Sequence, residues 1–165
     1  KAIECPDPVI IFEPKRRYWL KGEVDFSDTS FDPFSAQVVR EGTDATIVAY
    51  GPLVPVALAA AEAAVEDGRS IEVIDLRSIS PLDVPTVAAS VAKTGRLIVA
   101  HEAPTFGGMG GELAAAITER CFYSLQAPVI RVGGYYMPYP VSRVEEEYVP
   151  DIDRILEAVD RAFDY

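Results

Sequence analysis

The segment Arg96–Phe122, RLIVAHEAPTFGGMGGELAAAITERCF, carries the clearest signal of the fold in this chain. It opens with a short continuous apolar run, Leu97 to Ala100, which is typical of a strand buried on both faces. A polar, glycine-rich bend follows. From Glu112 the apolar residues recur at helical steps of three and four. Strand, loop and helix together form the unit in which open α/β folds place their sites, at the carboxyl ends of the strands.

The sequence on either side repeats this alternation. Further strands are predicted at Ala36–Arg40, Thr46–Tyr50, Ile71–Leu76 and Pro128–Val132. Further helices are predicted from Leu53 to a stop at Gly68, from Val84 to Gly95 behind the cap Asp83, and over Ile152–Phe163 behind Asp151. Strands that alternate with helices in this way predict right-handed crossovers and a mostly parallel sheet covered by helices on both sides.

The first 34 residues follow a different pattern. Residues 8–14 are a strand candidate bracketed by prolines, and residues 15–34 have no helical or strand period and are interpreted as a linker. A single strand cannot satisfy its own backbone groups, so the segment is expected to be the tail of a preceding domain. The regular α/β pattern occupies residues 35–165, where the proline- and tyrosine-rich segment 135–150 is predicted to wrap the surface.

Composition and charge exclude several classes of function. The formal net charge of −11 repels a phosphate backbone, so no nucleic acid partner is expected. No apolar window is long enough for a membrane span, and the N-terminus lacks a signal-peptide layout. Cys5 and Cys121 lack metal-ligand spacing and are interpreted as reduced thiols, which favours a cytoplasmic protein. Cys121 is expected to lie in the core.

The glycine cluster and the only histidine are the candidate functional features. Gly108-Met109-Gly110 begins a dinucleotide-binding pattern, but Leu113 stands where a third small residue is needed. Close packing of the loop against another backbone is the favoured interpretation, while an anion at the helix start stays open. His101 and Glu102 point in opposite directions if they end a strand, so they make a poor acid–base pair. A partly buried histidine at a loop or subunit contact is favoured.

Seven ordered blocks of the chain resemble a known family. They lie at residues 12–15, 72–83, 93–96, 101–104, 107–108, 127–132 and 138–140. Together they closely resemble the C-terminal half of the beta subunit of 2-oxoacid dehydrogenases, the thiamine-dependent decarboxylase component. His101-Glu102-Ala103-Pro104 and the C-terminal tyrosine look more like the branched-chain than the pyruvate type.

The resemblance implies a fold and a domain plan. Residues 35–165 would form a transketolase C-terminal-like α/β domain: three α/β/α layers around a five-stranded, mostly parallel sheet with one antiparallel edge strand. Residues 1–14 would be the last strand of a truncated pyrimidine-binding domain. That other domain carries the family's activating glutamate and catalytic histidine, so no catalytic, cofactor-binding or metal residue is assigned here. Thiamine diphosphate and magnesium are implied for the assembled enzyme and none for this chain alone.

The resemblance also implies partners. These are a decarboxylase alpha subunit, a second beta subunit, and the basic peripheral-subunit-binding domain of the acyltransferase. Subunit contacts are expected at His101, Glu102, Pro104, Gly107, Gly108 and Met109, and acyltransferase docking at Gln126 and Tyr165. Gln126 stands where the family has an acidic side chain, and Tyr136-Met137 replace a common Asp-Thr pair.

The sequence therefore predicts an assembly and docking module of a 2-oxoacid dehydrogenase, with no activity of its own. The compartment would be the bacterial cytoplasm, or the mitochondrial matrix in a eukaryote. Two alternatives remain at this point: a stand-alone domain that binds a small ligand or nucleotide, and a fragment of transketolase or deoxyxylulose-phosphate synthase.

Overall fold

The apolar runs become the strands of one sheet. The computed structural model describes residues 1–23, 25, 27 and 31–165. The strands are β1 (Gln37–Arg40), β2 (Ala45–Ala49), β3 (Ile71–Asp75), β4 (Leu97–Pro104) and β5 (Ile130–Gly134). The helices are α1 (Leu53–Ala63), α2 (Val84–Thr94), α3 (Met109–Cys121), α4 (Glu145–Tyr148) and α5 (Ile152–Phe163). None of these helices is long and apolar enough to cross a bilayer.

The sheet has the strand order β1-β3-β2-β4-β5. β2, β3, β4 and β5 pair in parallel, and β1 pairs antiparallel with β3 at one edge. The predicted five-stranded sheet with one antiparallel edge strand is thus confirmed. All five residues of β2, the central strand, are buried, as expected of a parallel strand that is covered on both faces.

Two apolar clusters fill the space between the sheet and its helices. On one face, α1 and α5 pack through Ala57, Ala60, Ala61, Ile155, Ala158 and Val159. On the other face, α2 and α3 pack through Val87, Val91, Leu113, Ile117 and Cys121. The three-layer arrangement and the core position of Cys121 are confirmed.

The helix ends follow the predicted caps. The Asp83 carboxylate accepts a hydrogen bond of 3.1 Å from the Thr86 amide at the start of α2. The Asp151 carboxylate accepts one of 2.9 Å from the Arg154 amide at the start of α5. Gly95 follows α2 with a φ of 73°, a left-handed conformation that a side chain would disfavour.

One buried carboxylate joins the sheet to α2. The Glu72 side chain on β3 is 1% exposed and accepts hydrogen bonds from Lys93 Nζ, Ser90 Oγ and the Gly42 amide. Burial alone would raise the pKa of Glu72, but these donors outweigh it and hold the pKa below its ordinary value. The ionised carboxylate therefore links β3 of the sheet to α2 of the helical layer.

Apart from shifts of one or two residues at the ends of other strands and the 3-10 turn that follows α1, the structure differs from the prediction in three places. β4 continues through His101 to Pro104, because its end pairs with β5 at Gly134 after a register shift. α3 begins at Met109 rather than Glu112. Residues 8–14 belong to no strand, since no other strand of the sheet lies beside them, and residues 15–17 form a short 3-10 helix.

Five residues of the predicted linker, 24, 26 and 28–30, lie outside the described residues. The assignment of residues 1–14 to a preceding domain stays a prediction. In the segment 135–150 most side chains are exposed, as expected, but Tyr148 is buried beneath it in the core.

Candidate interaction site

The loop after β4 lies at the carboxyl ends of the strands. β4 carries His101, Glu102 and Pro104 at its end, and residues 105–108 connect it to α3. Pro104 is in register with Gly134 of β5, so the connections that follow β4 and β5 leave the sheet side by side. The carboxyl ends of the strands and this loop thus form one end of the domain.

His101 is the anchor of this loop. Its side chain is fully buried. The Gly110 amide donates to Nε2 over 3.1 Å, and because Nε2 is the acceptor, the proton lies on Nδ1 and is donated to the Ala103 carbonyl over 2.8 Å. Burial lowers the pKa of His101 below 6.5, so the ring is neutral near pH 7. The imidazole therefore ties the end of β4 to the first turn of α3.

Gly108 and Gly110 lie against this ring, and Gly133 of β5 lies against the end of β4. A Cβ at Gly108 would lie 2.4 Å from the Pro104 carbonyl oxygen and 2.7 Å from His101 Cε1. A Cβ at Gly110 would lie 2.6 Å from His101 Nε2, and one at Gly133 would lie 2.7 Å from the Ala103 carbonyl oxygen. Close packing was the favoured interpretation, and the geometry supports it. These glycines pack against the His101 side chain as well as against backbone carbonyl groups. Because the Gly110 amide already bonds to His101, the helix start does not resemble a phosphate cradle.

The expected subunit-contact residues are placed as follows. Gly107 is exposed, whereas Glu102, Pro104, Gly108 and Met109 are half-buried. His101 has no exposed surface, so its side chain holds the loop in place and offers no area for a contact. Glu102 points the other way, as the strand geometry required, and lines a cleft with Glu146, Asp151 and Asp153.

An aromatic patch beside this loop was missed by the sequence reasoning. We use this name for the exposed side chains of the loop after β4 and of the segment after β5, which are Phe106, Tyr135, Tyr136, Met137, Tyr139 and Val141. Phe106 is 71% exposed and Tyr136 is 79% exposed, and their rings meet edge to face with centroids 4.8 Å apart. The available signal was the run Tyr135-Tyr136-Met137, which follows β5 and has no strand or helix period.

Gln126 and Tyr165 line one groove, although 39 positions separate them in the chain. The groove has a volume of about 1320 Å³ and runs between the outer face of α3, the segment before β5, and the C-terminus. Both side chains are exposed, and the Tyr165 side chain is 76% exposed. Two residues of the lining have charged side chains, Glu119 and Arg131.

Within residues 1–23, 25, 27 and 31–165, no group of three or more histidine, cysteine, aspartate or glutamate side chains could hold a metal ion.

Comparison with known proteins identifies the family. The profile of the family described as "Transketolase, C-terminal domain" matches residues 35–155, which is most of the chain. The matched region begins at the residue where the regular α/β pattern begins. This chain belongs to the transketolase C-terminal domain family.

The chain is similar in sequence to beta subunits of 2-oxoacid dehydrogenases. The chain is 55% identical over its full length to the pyruvate dehydrogenase E1 component subunit beta of Leifsonia xyli, covering 49% of that protein. It is 50% identical over 97% of its length to the 3-methyl-2-oxobutanoate dehydrogenase subunit beta of Mycobacterium tuberculosis, covering 46% of it. The chain thus spans about half the length of the curated relatives it matches, and these relatives include both the pyruvate and the branched-chain type.

A solved structure shares the fold. A split-gene transketolase, described as an inactive beta4 tetramer, superposes with a TM-score of 0.69 at 30% sequence identity. The match covers 87% of this chain and 46% of that one. The α/β fold expected from the family resemblance is therefore confirmed.

The packing around His101 predicts opposite effects at two adjacent glycines. Gly110→Ala would push a methyl group into the imidazole and break the Gly110–His101 hydrogen bond, so we expect a loss of about 1–3 kcal/mol in the free energy of unfolding. At Gly111 the nearest atom to a new Cβ is Arg131 Nη1 at 3.5 Å, an ordinary contact. Gly111→Ala should be neutral or stabilising by up to about 1 kcal/mol. Urea denaturation of both variants measures the difference, and equal losses would contradict the proposed role of His101.

The buried histidine also predicts a pH dependence. Because the folded state lowers the pKa of His101, the unfolded state binds the additional proton as the pH falls through 6.5. We expect the free energy of unfolding to decrease on the order of 1 kcal/mol between pH 7.5 and pH 5.5. His101 is the only histidine, and the carboxyl groups with lowered pKa values titrate at lower pH.

His101→Gln is the control for this titration. Denaturation curves of the variant should show a flatter dependence over the same range, even if the variant is less stable throughout. An unchanged slope would assign the pH dependence to other groups.

Proposed function

We propose that this chain is the C-terminal part of the beta subunit of a 2-oxoacid dehydrogenase, and that it serves subunit assembly and acyltransferase docking. The carrying observation is the 50–55% identity, over nearly the whole chain, to beta subunits of pyruvate and 3-methyl-2-oxobutanoate dehydrogenases. Either a branched-chain 2-oxo acid or pyruvate is the substrate of the complete enzyme. The compartment is the bacterial cytoplasm, or the mitochondrial matrix in a eukaryote.

In this proposal the chain contributes contacts and the catalytic groups lie elsewhere. Thiamine diphosphate supplies the carbanion chemistry of oxidative decarboxylation when it is bound in the assembled enzyme, and a lipoyl group accepts the acyl product. The decarboxylase alpha subunit and the other half of the beta subunit are proposed to hold thiamine diphosphate and magnesium, as the family resemblance implies.

The proposed subunit contact lies at the loop after β4 and the aromatic patch. Monomeric proteins rarely expose a contiguous apolar patch of several large side chains, and such patches mark interaction sites. Aromatic residues and methionine are also enriched in interface cores. The similar split-gene transketolase is described as a tetramer of beta chains, which is consistent with self-association through this kind of domain.

The proposed docking site is the groove of Gln126 and Tyr165. A chain with a net charge of −11 attracts a small basic domain from a distance, which raises the association rate and favours basic partners. The groove supplies an apolar floor and the exposed Tyr165 at the chain terminus. Gln126 is placed where the resemblance expects an acid, so this contact is weaker than with a charged pair.

The assembly proposal predicts self-association through the aromatic patch. Tyr136→Asp introduces a charge into the patch and should raise the dimer dissociation constant by about tenfold or more, measured by sedimentation equilibrium. Tyr123→Asp is the matched control, because Tyr123 is fully exposed on the far end of α3 and lies outside the patch. A chain that is monomeric at high concentration, or an equal effect of both substitutions, would argue against this contact surface.

The docking proposal predicts salt-sensitive binding of the acyltransferase's peripheral-subunit-binding domain. Calorimetry at rising salt should show weakening, because exposed charges are screened within roughly 10 Å at 0.1 M. Deletion of Tyr165 should weaken binding, and Gln126→Glu should strengthen it by restoring an acid to the groove.

Arg143→Gln controls for overall charge, since it makes the same change in net charge as Gln126→Glu at an exposed site outside the groove. Tighter binding with both variants would indicate a long-range charge effect, and binding that is indifferent to Tyr165 would remove the groove from the proposal.

A further inference from the structure

A small cavity at the outer end of β5 is lined by three arginines. Arg131 comes from β5, and Arg154 and Arg161 come from α5. The cavity has a volume of about 290 Å³ and opens beside Tyr135 and Tyr136. It is separate from the groove of Gln126 and Tyr165, although Arg131 borders both.

The charge of this lining is opposite to that of the chain. The three arginines and a single carboxylate, Glu157, leave a net formal charge of +2 around the cavity. The chain has 26 acidic against 15 basic side chains, so carboxylate partners are abundant. Yet within the described part of the chain, none of the three guanidinium groups forms an ion pair.

Two of the guanidinium groups are held in place by neutral partners. Arg154 donates to the carbonyls of Tyr148 and Gly133 and stacks over the Tyr135 ring at 4.7 Å. Arg131 donates to the Thr105 carbonyl over 3.1 Å. A guanidinium has five N–H donors, so each retains donors for a ligand. Arg161 is exposed and makes no hydrogen bond to another described residue.

We propose that this cavity, the arginine cavity, binds the phosphate group of a small molecule. Planar guanidinium groups recognise phosphate through paired, charge-assisted hydrogen bonds. A phosphate near neutral pH carries about two negative charges, which match the lining. The cavity volume is near the lower end for ligand sites, so a compact ligand fits. The glycine loop at α3 is not involved, and the proposal is independent of the assignment as a dehydrogenase subunit.

Calorimetric titration of the full chain at constant ionic strength tests the proposal, with inorganic phosphate as the first probe. We expect one phosphate per chain with a dissociation constant on the order of 1 mM. Arg161→Gln and Arg131→Gln should each weaken binding by about tenfold, and Glu157→Gln should tighten it. Arg154 is left intact, because its carbonyl contacts support the fold.

Arg120→Gln is the matched control, since it removes an exposed arginine from α3 that borders none of the cavities discussed. Equal weakening by Arg120→Gln would show nonspecific attraction and overturn the site, as would a wild-type chain that does not bind phosphate. Arg161 lies outside the aromatic patch, so Arg161→Gln should weaken phosphate binding and leave the dimer dissociation constant unchanged in sedimentation. This result separates the test of the cavity from the test of assembly.

Two further probes identify the source of the phosphate. Tighter binding of glycerol 2-phosphate than of inorganic phosphate would support a phosphorylated metabolite, and equal or weaker binding would support the free ion. Succinate is the dicarboxylate comparison. Preference for succinate over both phosphates would overturn the proposed ligand class.

Discussion

The neutral imidazole of His101, enclosed between the end of β4 and the first turn of α3, is the constraint on which this end of the domain depends. Its two nitrogens bond to backbone groups on either side of the loop, and the ring occupies the space beside Gly108, Gly110 and Gly133. A glycine-rich segment loses much conformational freedom on folding. The buried ring offsets that cost and places the loop and the connection after β5 side by side.

The surface that results is chemically divided. The chain as a whole is strongly acidic, which suits encounters with basic partners. At the carboxyl end of the sheet, however, the exposed side chains are aromatic, and next to them three arginines surround a small cavity. The groove beneath Tyr165 is a third region, formed by α3 and the chain terminus. Arg131 borders both the cavity and the groove, and Tyr136 belongs to both the aromatic patch and the cavity lining. Arg161 and Gln126 each border only one of these regions, so they separate the tests of anion binding and docking.

The core elements were predictable because each has a local signal. The runs 46–50 and 71–76 are rich in β-branched and other apolar residues. Asp83, Gly68 and Gly95 mark helix ends by mechanisms that act within a few residues. Predictions were less accurate where pairing between distant segments determines how long a strand is. β4 is four residues longer than its apolar run, because its polar end is paired with β5. The segment 8–14 has a strand-like sequence but pairs with no strand among the described residues.

The α/β class, the order of the elements and the family resemblance could all be inferred from the sequence, because periodicity, helix caps and short motifs are local features. The surfaces of the domain could not be inferred in this way. The tertiary structure buried His101, placed Gln126 and Tyr165 in one groove, joined Phe106 to Tyr136, and gathered Arg131, Arg154 and Arg161 around one cavity. These residues come together because helices pack on both faces of the sheet. That packing brings close in space residues that are far apart in the sequence.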